Sequence, residues 1–137
     1  MTTALELITK YTPFYPEAKP CFSGKYHIGY WLDNYEDGSP VKKGDTITED
    51  KAKKVLKAHL DRIKLPEGNW NDNQKEALKS LIYYLYDAWS DSDIKKYIES
   101  GDFSQARIEW EKIRDGEIFE NIKPWKQDEI NLFFGEN

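Results

Sequence analysis

A chain of 137 residues is the size of one domain, large enough to bury a hydrophobic core without disulfide or metal staples. Hydrophobic residues at 39% and charged residues at 33% exclude a disordered chain, and a net charge of -5 excludes electrostatic capture by nucleic acid or anionic membranes. The lone cysteine, Cys21, excludes an internal disulfide, so the fold does not depend on an oxidising compartment.

Ala4, Leu5, Ile8 and Tyr11 recur at helical spacing and predict a short N-terminal helix. The opening "MTTALELITKYTPF" has neither a basic start nor an apolar run, so no signal peptide is expected. No apolar stretch approaches membrane-spanning length, so no membrane insertion is expected either. Pro13, Pro16 and Pro20 forbid a continuous helix through residue 21. Over residues 22–47, Gly24, Gly29, "DNYEDGSP" and Gly44 punctuate short aromatic or β-branched runs. "KYHIGYWL" and "DTIT" are predicted as strands of a small antiparallel sheet, with "EDGS" as a turn.

Thr48 then offers an N-cap, with Glu49 and Asp50 where the helix dipole favours acids. Ala52, Val55, Leu56, His59, Leu60 and Ile63 form the apolar stripe of that helix. "LPEGNW" breaks it, and Asn71 or Asp72 caps the next, "NQKEALKSLIYYLYDAWS". The second half of this segment is apolar nearly all round, which predicts a buried central helix. "SDSDIKKYIESG" and "DFSQARIEWEKI" predict two shorter helices, the first ended by Gly101. "PWKQDEINLFF" predicts a final helix started by Pro124. These elements make a single α+β domain over residues 1–137, with a helix and hairpin region in 1–47 and a helical region in 48–137.

Little in this pattern marks a site by itself. Aromatic residues reach 15%, with five Trp and nine Tyr, enough to fill a core with rings, line a groove with them, or both. His59 falls on an apolar helix face, where a satisfied core residue is the simpler reading. Asp33, Glu36 and Asp37 read as a solvated hairpin tip without the ligand order of a calcium loop. Two histidines and one cysteine offer no metal-site spacing, and no phosphate loop or nucleophile elbow is present, so no cofactor is expected.

Taken in chain order, however, several words resemble the phage-type lysozymes, the endolysin muramidases that cut peptidoglycan glycan chains. "LITKYTPF" is similar to the helix leading into that family's Glu-Gly catalytic step, and "GKYHIGY" to its Trp-Thr-Ile-Gly-Tyr-Gly-His strand. "KGDTITEDKA" is similar to its Gly-x-x-Ile-Thr helix start, "NQKEALKSLIYYLY" to its Gln-x-x-Ala-Leu-x-Ser central helix. "SGDFSQARIEW" and "EINLFFGE" resemble its later Gly-Asp-x-x-x-Ala segment and its Glu-x-x-Leu-Phe ending. The resemblance implies a lysozyme-like fold over nearly the whole chain.

It also implies where the chemistry should be. Glycoside hydrolysis uses one carboxyl group to protonate the leaving oxygen and a second to activate water or stabilise the cation. Counting from the shared words puts the general acid on Thr12, the second acid on or beside Cys21, and the water-holding threonine on His27. The Gly-His pair after the strand becomes Trp31 and Leu32, and the Phe-Asn-x-Gly of the central helix becomes Tyr83, Tyr84, Leu85 and Tyr86. A threonine hydroxyl has no proton to give at neutral pH. Cys21 as a thiolate nucleophile with His27 as its base is one route, lacking only an acid for the leaving group, and Glu17 is the only nearby carboxylate. The plainer route makes Cys21 a small buried hydrophobe and His27 a strand residue.

Tyr30, Trp31, Leu32, Tyr83 and Tyr84 are expected to line the cleft, either stacking on sugar rings or plugging the space that catalysis vacated. The expectation is a catalytically degenerate lysozyme-like protein, phage-encoded, working as a binding or structural module in the host cytoplasm or virion. Its partner would be a peptidoglycan-type glycan or a phage or host protein. The alternatives are an active muramidase with non-standard catalytic residues and an inhibitor or immunity-type protein.

Overall fold

The computed structural model defines residues 2–21, 24–114 and 123–135. Among them the chain forms α1 (Ala4–Tyr11), β1 (Tyr15–Pro20), β2 (Tyr26–Gly29), α2 (Glu49–Asp61), α3 (Asp72–Leu85), α4 (Asp93–Ser100), α5 (Phe103–Lys112) and α6 (Lys123–Phe134). This is an α+β fold, with a two-stranded antiparallel sheet near the N-terminus and a largely helical remainder. The elements fall into two compact units: Ile8–Arg62, here the N-terminal unit, and Met1–Leu7 with Ile63–Asn137, here the helical unit.

In the N-terminal unit, the prolines that forbid helix instead help build a strand. They favour extended backbone, and β1 pairs with β2 through Tyr15↔Gly29, Lys19↔His27 and Pro20↔Tyr26. The other edge of β1 bonds to the 45–47 segment, Ala18 N–H donating to the Asp45 carbonyl (2.9 Å) and Ile47 N–H to the Pro16 carbonyl (2.8 Å). "DTIT" therefore falls short of the strand predicted for it and contributes one bridge, Thr46 to Glu17. The strand predicted through "YWL" stops at Gly29, which has φ +63. The chain then reverses, and Ile28 and Leu32 close the turn by exchanging two backbone hydrogen bonds of 2.9 Å. The "EDGS" turn forms as expected, with Asp37 accepting from the Ser39 N–H at 2.9 Å.

Thr48 caps α2 by accepting from Lys51 N–H, and Ala52, Val55, Leu56 and Leu60 are its buried stripe. His59 is half-buried with Nε2 3.0 Å from the Asn34 carbonyl, a satisfied residue rather than a ligand. Ile63 lies beyond the helix end.

The helical unit starts α3 with a capping box: Asn71 accepts from Gln74 N–H while the Gln74 side chain accepts from Asn71 N–H. The helix ends earlier than the pattern predicts, at Leu85, and gives way to a single 3-10 turn over Tyr86–Ala88. Its buried stretch is also earlier, at Ala77, Leu78, Ser80 and Leu81, whereas Ile82 to Leu85 are only half-buried. Gly101 ends α4 in the left-handed conformation that glycine adopts without strain. Trp110, fully buried, sits at the centre of this unit's core with its ring centroid 5.2 Å from that of Phe133.

Candidate functional site

Thr12 follows the last turn of α1. Its N–H donates to the Ile8 carbonyl at 3.0 Å, and its hydroxyl donates to the same oxygen at 2.6 Å. Cys21 follows β1, with its N–H bonded to the Lys25 carbonyl at 2.8 Å, and His27 stands on β2 opposite Lys19. The hairpin thus brings two of the expected positions together: Cys21 Sγ lies 3.9 Å from His27 Nε2. Glu17 is exposed on β1 and its backbone bridges Thr46.

Burial pushes the His27 imidazole below its ordinary pKa of 6.5, and nearby Lys25 adds to this while Asp33 opposes it. His27 is therefore neutral at pH 7, with its Nδ1 buried and unpartnered. Because the unfolded chain protonates at a higher pH than the folded one, this site's contribution to stability is complete above pH 6.5. It is lost as pH falls through the lowered folded value. In an NMR titration the His27 ring signals should turn over below pH 6.5. His27→Gln should also flatten the acid side of the stability profile relative to wild type. A midpoint above 6.5 would contradict the burial argument.

The three ring-region residues of the N-terminal unit have different fates. Tyr30 is buried, its hydroxyl donating to Glu49 at 2.8 Å, and its pKa is pushed up to about 12 by burial first, then by the bond to Glu49 and its charge. Leu32 is buried as well. Trp31 is 49% exposed and has φ +66, a conformation costing a non-glycine residue about 1–2 kcal/mol. Its indole meets the His27 ring edge-on at 5.5 Å and the Tyr15 ring at 6.2 Å. Cys21, His27, Trp31 and Tyr15 thus form one contiguous cluster.

Tyr83 and Tyr84 are half-buried in the last turn of α3, in the helical unit. Tyr84 is packed: the Arg114 guanidinium lies 3.9 Å from its ring centroid and Trp125 meets it edge-on at 5.4 Å. Arg114 belongs to a buried polar network that the sequence pattern did not single out. Glu129, fully buried on α6, accepts from Arg114 (2.8 and 3.0 Å), from Ser80 (2.6 Å) and from the Trp110 indole (3.0 Å). The Trp125 indole donates in turn to Ser80 at 2.8 Å. One signal was present: Trp125, Glu129 and Phe133 are spaced four apart on one helix face, so an acid stands in an apolar stripe.

Among the described residues, no group of three or more His, Cys, Asp or Glu side chains is placed to hold a metal, and no helix is long and apolar enough to cross a membrane.

With this fold and hairpin cluster in view, the comparisons with known proteins agree with the sequence resemblance. The family profile described as phage lysozyme matches residues 9–123. The chain belongs to the phage lysozyme family. Among solved structures it is similar to an endolysin from Escherichia coli O157:H7 phage FAHEc1, at 23% identity and TM-score 0.72, covering 95% of this chain and 89% of that one. It is also similar to the muramidase domain of SpmX from Asticaccaulis excentricus, at 21% identity and TM-score 0.76, covering 95% and 93%. At such identities these likenesses establish the lysozyme-like fold. A comparison with curated protein sequences gives no match.

Proposed function

We propose that this phage lysozyme family member has lost its hydrolytic chemistry and works as a binding or structural module. Thr12 carries this reading. The family resemblance assigns that position to the general acid, and the hydroxyl found there is already engaged with the Ile8 carbonyl at 2.6 Å. Such a group cannot protonate a leaving glycosidic oxygen near neutral pH. Glu36, Asp37 and Asp45 are held below the ordinary carboxylate range, first by hydrogen bonds from Lys51, Ser39 and Tyr35 respectively. That is the opposite direction to the raised pKa of a general acid. The partner in this reading is a peptidoglycan-type glycan or a phage or host protein, met in the host cytoplasm or the virion.

A second reading, a muramidase with substituted catalytic groups, draws on one observation: Cys21 Sγ sits 3.9 Å from the neutral His27 imidazole, an arrangement suited to activating a thiol. Incubation with purified peptidoglycan, followed by reducing-end assay and muropeptide mass analysis, separates the two. No new reducing ends are expected. Reducing ends that disappear in Cys21→Ala would overturn the first reading in favour of the second, and ends that disappear in Glu17→Gln would assign the acid to that carboxylate.

A further inference from the structure

The two units differ in charge. Ile8–Arg62 carries ten basic and eight acidic residues, net +2, whereas Met1–Leu7 with Ile63–Asn137 carries ten basic and seventeen acidic, net -7. Like charge at that density costs the helical unit stability through self-repulsion, and it speeds encounter with a cationic partner. The same unit leaves aromatic surface uncovered. Phe103, the first residue of α5, is 40% exposed, and its ring lies 6.1 Å edge-on from Trp70 and 6.0 Å from Phe133. Half-buried Trp70 is fixed in place. Its indole N–H donates to the Pro66 carbonyl at 2.9 Å, and its six-membered ring covers Gly68, where a Cβ would come within 2.4 Å of Cζ2.

Acids flank these two rings. Asp102 directly precedes Phe103 and caps α5. Glu99, in the last turn of α4, accepts from the Glu67 N–H at 3.2 Å, which places it against the Pro66–Trp70 loop that carries Glu67. All three are exposed, and among the described residues none of them takes part in an ion pair; the α4 cation Lys96 lies instead 3.9 Å from Asp93.

We infer that Phe103 and Trp70 form a docking face for a cationic, amphipathic segment of another protein. An apolar side chain of that segment seats on the two rings, and its lysines or arginines meet Glu67, Glu99 and Asp102. The inference goes beyond the proposed function and holds whether or not the hairpin cluster cleaves glycan. Charge selects the occupant. A unit of net -7 repels anionic membranes and nucleic acid, and unpaired carboxylates offer no gain to a neutral ligand but complement a basic one. Aromatic rings at the centre with charges at the rim are the anatomy of a protein interface, where the rings supply affinity and the rim supplies rate and selectivity. A cation above the exposed Phe103 face adds a cation–π attraction.

The probe is a synthetic amphipathic helix of leucine and lysine, compared with its leucine–glutamate counterpart and with the same leucine–lysine composition in scrambled order. Titrated into the full chain, the leucine–lysine helix should shift the indole 1H–15N signal that is missing in Trp70→Phe, while the Trp31 signal of the other unit stays still. Phe103→Ser should weaken binding about tenfold. Glu67→Lys, which replaces a rim carboxylate by a cation, should weaken it about threefold and reduce its salt dependence. Four results would overturn the inference: a Trp70 signal unmoved at saturating peptide, undiminished binding to Phe103→Ser, equal binding of the leucine–glutamate helix, or equal binding of the scrambled order. A wild-type dimer in sedimentation that Phe103→Ser abolishes would also overturn it, by assigning the face to a second copy of the chain. Should Phe103→Ser fail to fold, Glu67→Lys and the Trp70 signal decide, because the Glu67 side chain makes no hydrogen bond among the described residues and its replacement leaves the core intact.

Discussion

Glu129→Gln should lower stability by about 3–5 kcal/mol, the cost of breaking a buried ion pair from one side. Glu129 and the Arg114 side chain have no solvent exposure, and the carboxylate meets both terminal nitrogens of the guanidinium at 2.8 and 3.0 Å. Glutamine keeps the shape but removes the charge, and turns an NH2 group toward at least one of four donor bonds from Arg114, Ser80 and Trp110. The guanidinium stays buried between Tyr84 and Trp125 with its Nε already unpartnered, so nothing described compensates it. Urea denaturation of wild type and variant measures the loss. Arg114→Met combined with Glu129→Leu should recover only part of it, since removing both charges removes the desolvation cost with the attraction but leaves the Ser80 hydroxyl and the Trp110 indole without their buried acceptor. A loss under about 1 kcal/mol in the single variant would mean that the pair contributes little beyond packing.

The second large effect belongs to Gly29. A Cβ there would lie 3.0 Å from the Ala52 Cβ and 3.3 Å from Leu32 Cδ1, on a backbone with φ +63. Gly29→Ala therefore combines left-handed strain of about 1–2 kcal/mol with overpacking of about 1–3 kcal/mol. Gly38→Ala isolates the first contribution, because at φ +87 its added Cβ meets nothing within 4 Å. The two variants should differ by about 1–3 kcal/mol in chemical denaturation, the overpacking alone. Equal losses would show that the β2–α2 approach tolerates a methyl group.

The helix boundaries were the most legible part of the chain, because caps are local chemistry. Thr48, Asn71 and Gly101 do at their positions what their side chains dictate anywhere. β1 was not legible. Three prolines in eight residues argue against helix without specifying a strand, and the strand depends on edges supplied by residues 26–29 and 45–47. The end of α3 was misread because "LIYYLY" stays apolar past the point where Tyr86 leaves helical geometry.

At the site, the spacing of Thr12, Cys21 and His27 could be read against the family, and one consequence, the approach of Cys21 to His27, follows from a hairpin folding back. Which rings are buried could not be read. Tyr30, Trp31 and Leu32 are adjacent and comparably apolar, and only the turn at Gly29 decides that the middle one is exposed. The Glu129 network was hidden for a related reason: its donors, Ser80 on α3, Trp110 on α5 and Arg114 just beyond α5, lie 49, 19 and 15 residues away from it in sequence.

Trp31 has an optical consequence. The other four indoles, Trp70, Trp89, Trp110 and Trp125, belong to the helical unit, and the latter three are buried. Trp31 alone reports from the N-terminal unit, and its half-exposed ring is open to a collisional quencher that cannot reach a buried indole. The emission of Trp31→Gly therefore follows the helical unit by itself, and the difference from wild type follows the other. The chain carries its own two-channel fluorometer for asking whether its two units melt as one.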